Sequence, residues 1–562
     1  MQWRTMLFAA CSLSALLMAA PSQADNDRDR GHDNDRDHHD DCDGKRELVL
    51  YNGRIHTMDA KNSIVSTVTI HDGRFDDIGR RDDRGGDCSR TIDLRGKTVI
   101  PGIIDNHNHF ILLSSRPGHH TPLESAFSIA DVQAAIKARV PTVPAGAWIT
   151  SIGAWIPQQF TENRLPTLAE LDAAAPNNPV MVFQQFTGPA AVNTKAMQFF
   201  TGKGITVSGT GQIAGTGAAI QALDALRAIQ TADDRIQGSL DAMAYSARLG
   251  VTTNVDMGGF VIPGLPDIQD SFVFDSSASW DPFSAYDTYL TLNEQHRITT
   301  RLRIYFLSMD QNLDNPLLMQ RLNNAFNRFG NPMMKSAGIG EFATNWPLFG
   351  GPVPPNYLGA LEAVAARGWS FQQHSLSDFE DTLTLNTFKA VDAITPIAPL
   401  HWSIAHVPAI TTTNINAFKA LGVGIAVHPF RYLAGGTQGG PPLRTIVDSG
   451  AIVGAGSDSA QISTLNPWNM IYYMTTGKNV AGILVNAGQL LTRQEAMQLY
   501  TANNGWFLNE EDKLGTIEPG KYGDLVVLNA DYFDSKAVPD TALRSLHSVL
   551  TVVDGKVVHD EM

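Results

Sequence analysis

The sequence predicts an α/β fold: a (β/α)8 TIM-type barrel, with a composite β-sandwich domain made from both termini and an inserted α+β subdomain. Three observations predict it. Short apolar, strand-like runs alternate with helical stretches through the middle of the chain, the pattern of parallel β/α architecture. Eight such runs can be counted, the number a barrel needs. Turn-rich β segments stand outside this alternation at both ends. A chain of 562 residues that is 43% hydrophobic and 18% charged suits one large domain plus a smaller one, and excludes a disordered or fibrous protein.

Residues 1–24 read as a secretory signal. Arg4 supplies a positive start, Leu7 to Ala20 is apolar, and Ser22-Gln23-Ala24 puts small residues at a cleavage position. A membrane anchor needs about 20 apolar residues, and this shorter run ends at Pro21. The expectation is an exported chain, periplasmic or secreted, that begins near Asp25. Residues 25–45 hold nine Asp, three Arg, one Lys and three His, a net of −5 out of the formal −15 of the whole chain. With no aliphatic or aromatic residue, this leader cannot bury enough surface to offset its ordering entropy and is expected to be disordered. The acidic balance argues against nucleic acid and anionic membranes as partners. Beyond the signal the only cysteines are Cys42 and Cys88, which in an oxidising compartment either pair or stay free.

Residues 46–100 alternate strand and turn, with Asn52-Gly53, Asp72-Gly73 and Arg95-Gly96 as punctuation, and residues 510–562 repeat the style in KYGDLVVLNAD and HSVLTVVDGKVVHD. Together they form the predicted composite β domain. The barrel then spans 101–509, with strands in TVIPGIIDNH, GVTTNVDMG, RLRIYFLSM, MKSAGIGEF, GWSFQQH, LHWSIAHV, GVGIAVHP and GAIVGAGSD. The segment from about 115 to 240 is too long for one connection and contains its own strand, PVMVFQQF, so it reads as an insert able to roof the site.

In a parallel barrel the reactive groups stand at the C-terminal ends of strands. His107 and His109, two apart, send both imidazoles to one face of the first strand. His374 closes WSFQQH, His406 closes WSIAH and Asp458 closes IVGAGSD. A single strand-end histidine is usually structural. The whole order, His-x-His, His, His, Asp, is a joint signal for a metal site, because neutral imidazoles and a carboxylate are the ligands that zinc and related divalent ions take.

With those residues in place, the chain resembles the amidohydrolase superfamily, and within it the YtcJ-like branch that includes N-substituted formamide deformylases. The resemblance is carried by VIPGIIDNHNH, GAWIPQQF, LPTLAELDAAAPNNPV, GVTTNVDMGG, His374, His406, GAGSDS and LGTIEPGKYGDLVVLNAD, and covers about residues 47 to 558. It implies that His107, His109, His374 and His406 ligate one or two divalent ions, zinc first among them, and that Asp458 both touches the metal and acts as general base. A divalent ion lowers the pKa of its bound water toward about 7. Asp458 would take the proton as hydroxide attacks a carbonyl and pass it to the leaving nitrogen, under a roof that excludes water. A small-molecule substrate and a homo-oligomer are further implications.

The chain also departs from the family. Where many members carry a carboxylated lysine or a glutamate at the end of the fourth strand, MKSAGIGEF offers Lys335 and Glu341, and Glu341 lies nearer the C-terminal end. Glu341 is therefore the candidate bridging ligand; its bland alternative is a hydrogen-bond partner of the true ligands. In QQFTGPAAVNTKAM, Pro189 follows Gly188 where the family commonly has a histidine, so a substrate contact is missing or replaced. Trp346, His428 and Trp468 follow strand ends and are either pocket lining or rim packing; His401 starts its strand and reads as structural; His119 and His120 fall in the insert without a role. The leading function is hydrolysis of a C–N amide-type bond in an N-substituted formamide or other N-acyl compound. A lactone, carbamate or cyclic amide stays open as the bond cleaved. A non-catalytic binding or regulatory protein on the same scaffold is opposed by the intact ligand set.

Overall fold

Runs of small and β-branched residues buried on both faces are what a parallel sheet under helices requires, and eight of them form the central sheet of the computed structural model. It describes residues 47–79, 89–185, 187–258, 286–310, 312–347, 351–434, 436–460 and 462–562. The expected signal 1–24, the leader 25–45 and the Cys42/Cys88 pair lie outside these residues. The central strands are β1 (Ile103–Asn108), β2 (Val251–Asp256), β3 (Arg301–Phe306), β4 (Met334–Glu341), β5 (Ser370–Ser375), β6 (Ser403–His406), β7 (Gly424–Val427) and β8 (Val453–Ala455). Each pairs in parallel with its neighbour in sequence, so the sheet runs β1 to β8 in order. This is the TIM-type barrel.

Side chains join the first strand to the last. Asn504 Nδ2 donates to the carbonyls of Ile104 (2.6 Å) and Ala455 (2.7 Å), and Asn504 Oδ1 accepts from Asn106 Nδ2 (2.9 Å). Further up, Asp458 N–H donates to His107 O (2.8 Å) and His109 N–H to Ser459 O (2.5 Å). This close approach depends on Gly456, where a Cβ would stand 2.7 Å from both His107 N and Asn106 Oδ1.

Amphipathic helices cover the outside. The helix Ala232–Leu249 begins where Thr231 Oγ1 accepts from Asp234 N–H in a capping box, and hands over at Gly250 to β2. Its buried stripe includes Ala242, Met243, Ala247 and Leu249, and each large apolar side chain so placed contributes about 1.5–3 kcal/mol. Below the barrel, Arg301 makes a bidentate pair with Asp524 (2.7 and 2.8 Å), and Arg303 (2.6 Å) and Lys335 both reach Glu510. These buried charges fasten the C-terminal segment to β3 and β4.

Both termini enter one six-stranded sheet, in which Leu525–Leu528 lies antiparallel to Thr98–Pro101, and a four-stranded sheet carries Glu47–Tyr51. Leu50, Ile55, Val99, Leu525 and Leu550 fill the space between them. The insert has its own five-stranded sheet, in which His119–His120, Ile149–Ile152 and Val180–Phe183 are parallel, and Ala190–Val192 and Gln212–Ile213 continue it antiparallel.

Candidate metal centre

The register of the barrel brings the expected residues to one level. Glu341 is opposite Gln373 and Ser375 is opposite His406, so the ends of β4, β5 and β6 are adjacent. The backbone bonds between β1 and the segment after β8 hold His107 and His109 against Asp458. Asp105 adds a second tie, accepting from Ser457 N–H (2.9 Å) and His107 N–H (3.2 Å).

Glu341 stands in the middle. Its Oε1 is 3.4 Å from His109 Nε2, and its Oε2 is 3.7 Å from His107 Nε2, 2.6 Å from His374 Nδ1 and 2.8 Å from His406 Nε2. Asp458 Oδ1 is 3.6 Å from the Nε2 atoms of both His107 and His109, and its Oδ2 is 3.5 Å from His406 Nδ1. Two ligands each about 2.1 Å from a tetrahedral ion are about 3.4 Å apart. The contacts among His107, His109, Asp458 and Glu341 match that spacing, whereas His374 and His406 meet Glu341 at hydrogen-bond distance. Two separate sets of donors result, His107, His109 and Asp458, and Glu341, His374 and His406, and a third, His107, His406 and His428, shares a histidine with each.

The carboxylates and imidazoles of the cluster balance one another. Burial opposes charge on Glu341 and Asp458, yet the charge of His374 and hydrogen bonds from His109, His374 and His406 hold Glu341 well below the usual carboxylate range, and His406, His107 and His109 do the same for Asp458. His109 in turn is raised well above an ordinary histidine, because its bonds to Asp458 and Glu341 outweigh its burial. Two ionised carboxylates under 10% exposed carry a formal −2 that an interior tolerates only when compensated. Among the described residues His107 Nε2 is fully buried with no hydrogen-bond partner, and with Nδ1 turned to the acceptor Gln372 Oε1 it carries the lone pair that a metal ion would use.

Of the remaining residues read from the sequence, Lys335 sits at the opposite end of β4, bound to Glu510. His428 is inside the cluster: its Nδ1 accepts from His406 N–H (3.2 Å) and lies 2.8 Å from His406 Nδ1, and burial followed by His107 and His406 keeps it well below the ordinary histidine pKa. Trp346 packs on Tyr357 at 4.8 Å between ring centres, and Trp468 donates to Leu249 O (3.1 Å), so both are buried packing residues. His401 stacks on Trp506 and bonds its carbonyl (2.7 Å). Gln372, missed in the sequence, contacts His107 Nδ1 through Oε1. The signal for it was available, since Gln372 precedes His374 by two on the same strand face.

The model of the amidohydrolase family matches residues 90–559. The chain is 24% identical over 551 residues to the N-substituted formamide deformylase of Arthrobacter pascens, covering 91% of this chain and 98% of that protein. It is 22% identical over 553 residues to YtcJ of Bacillus subtilis, covering 92% and 100%. An uncharacterized metal-dependent hydrolase from Pyrococcus furiosus superposes with a TM-score of 0.55 at 19% identity, over 87% of this chain and 100% of that one, a likeness of fold.

Proposed function

The chain belongs to the amidohydrolase family, and from that premise we propose that it is a metal-dependent hydrolase of a C–N amide-type bond in an N-substituted formamide or other N-acyl compound. The observation that carries this reading is the position of Glu341, within 3.7 Å of four imidazoles at the C-terminal ends of three other strands' segments. The 24% likeness to a formamide deformylase supports the choice of bond.

His107, His109, Asp458 and Glu341 would hold a first divalent ion, zinc by the chemistry of the donors, and Glu341, His374 and His406 a second. Such an ion, when bound, supplies an acidified water and a Lewis acid for the carbonyl. Asp458 does the proton work. It is buried and ionised, and it accepts the proton that the attacking water loses and returns it to the nitrogen as the C–N bond breaks, giving a carboxylic acid and an amine. His428, neutral and wedged against His406, keeps the imidazole of His406 oriented.

Metal analysis of the purified protein, paired with Asp458→Asn and a panel of N-formyl, N-acyl and lactone compounds, tests the proposal. Bound metal, turnover of an N-formyl or N-acyl compound and its loss in the variant are expected. A protein without metal after gentle purification, or turnover of lactones alone, would overturn it. Export is part of the proposal: a mature chain starting near Asp25 supports it, and one retaining Met1 counts against it.

A further inference from the structure

Arg116 lies two residues beyond the short helix Phe110–Ser114 that follows His109, and it is only 4% exposed. Its guanidinium has no carboxylate partner among the described residues. Nη2 donates to Ala460 O, Nη1 lies 2.7 Å from His120 Nε2, and Nε is buried without a hydrogen-bond partner among the described residues. The carboxylate whose charge acts on it is Glu124, which already accepts from Tyr245, Thr464, Leu465 and Asn466. A buried cation left without an anion is costly, and proteins normally pair it. The arginines of the barrel floor are paired in that way.

The surroundings of Arg116 have more donors than acceptors. His120 faces Arg116 Nη1 with one nitrogen and the N–H of Ile152 (3.4 Å) with the other, and a neutral imidazole can accept at only one of them. Burial, then Arg116, lowers the His120 pKa well below its ordinary value, so a proton on the ring adds nothing favourable. An acceptor from outside the chain would relieve this surplus.

The location is also that of a ligand. The parallel strands of the insert end at His120, at Ile152 and at Phe183, and ligands of open parallel sheets bind beyond such C-terminal ends. A Cβ on Gly153 would stand 3.1 Å from Arg116 Nη2, 3.1 Å from Gln185 O and 3.0 Å from Ala460 O, so four segments converge there. Ala154 (φ 64°), Gln185 (φ 41°) and Asp458 (φ 55°) are left-handed non-glycine residues around the same point, and such strain clusters where ligands are clamped. Ala460, whose carbonyl accepts from Arg116, is two residues beyond Asp458, so Arg116 meets the segment that carries that carboxylate.

We propose that Arg116, with His120 beside it, binds an anionic group, a carboxylate, on the substrate of the neighbouring centre. This deepens the C–N hydrolase reading, since it names the substrate as an N-acyl compound that carries a carboxylate. A planar guanidinium matches a carboxylate in a two-pronged bond, and one in a site sheltered from water distinguishes an acid from its amide. The competing explanation is a purely mechanical pin that holds the insert to the loop after β8.

The test is binding of N-formyl ω-amino acids of increasing chain length and of their carboxamides, by calorimetry, to the full-length protein with and without metal. At one chain length the acid should bind about 10- to 100-fold more tightly than the amide. Arg116→Gln should abolish that preference by weakening the acid to the affinity of its amide, with metal content unchanged. Acid and amide binding equally at every length overturns the inference, as does a preference that vanishes with the metal or survives in Arg116→Gln. Should that variant fail to fold, Arg116→Lys, which keeps the charge without the fork, must still weaken the acid preference. Because binding is the readout, a chain that hydrolyses none of these compounds overturns only the C–N reading.

Discussion

Glu341 Oε1 stands 3.4 Å from His109 Nε2, a separation that suits two ligands of one ion and also lies within reach of a hydrogen bond. The other oxygen of the same carboxylate accepts from His374 (2.6 Å) and His406 (2.8 Å). One side chain therefore joins the two halves of the centre.

Glu341→Ala should lose bound metal and activity together, as read by elemental analysis and turnover. Lys335→Ala should keep its metal. It leaves Glu510 with Arg303 alone, so its cost is in stability, about 1–3 kcal/mol by denaturant titration. Metal loss in the lysine variant and retention in the glutamate variant would reverse the assignment of the fourth-strand ligand.

Gln372→Leu keeps the volume of the side chain and removes its contact with His107 Nδ1. Groups that orient a metal-bound imidazole typically account for 10–100-fold in affinity, and a competition titration with a chelator should show a loss of about that size. An unchanged affinity would mean that His107 is oriented by its backbone alone.

Trp468→Phe should lower Tm and leave kcat, on whichever compound the wild type turns over, within about twofold. The indole donates to Leu249 O (3.1 Å) in the barrel wall, and a buried carbonyl left unpaired costs about 1–3 kcal/mol. A large fall in kcat at constant Tm would instead make Trp468 a substrate contact.

His56 links the terminal β region to acid sensitivity. It stacks on Phe533 at 3.9 Å, and burial, then the charge of Arg54, lowers its pKa from 6.5 to about 4 against the opposing pull of Asp531. The unfolded chain binds this proton more readily, so the stability from neutral His56 is full above pH 6.5 and is lost as pH falls toward 4. Denaturation of His56→Asn should show a smaller stability loss between neutral pH and pH 4 than the wild type; identical slopes would remove His56 from the acid response.

Much of the centre was legible in the linear order of residues. A strand end is marked by an apolar run that stops at a polar residue, and in a parallel barrel all such ends lie on one face. His107, His109, His374, His406 and Asp458 needed no more than that. Glu341 was preferred over Lys335 because it closes its strand, and in the structure Lys335 is bound to Glu510 at the other end. His428 and Trp468 had equal standing as residues just past a strand end. They differ in surroundings, since His428 abuts His406 and Trp468 hydrogen-bonds to the end of a helix.

The sequence by itself determined the barrel, the order of its strands and the chemical character of the centre, because periodicity, strand-end chemistry and turn residues are local properties. How far apart the candidate ligands stand came from the tertiary structure. The spacing between Glu341 and His109 follows from the register of β4 against its neighbours and from the backbone bonds that draw β1 to the segment after β8. The tertiary structure also decided that Arg116 is buried with no carboxylate at ion-pair distance among the described residues, because pairing depends on how segments come together in space, which local pattern does not encode.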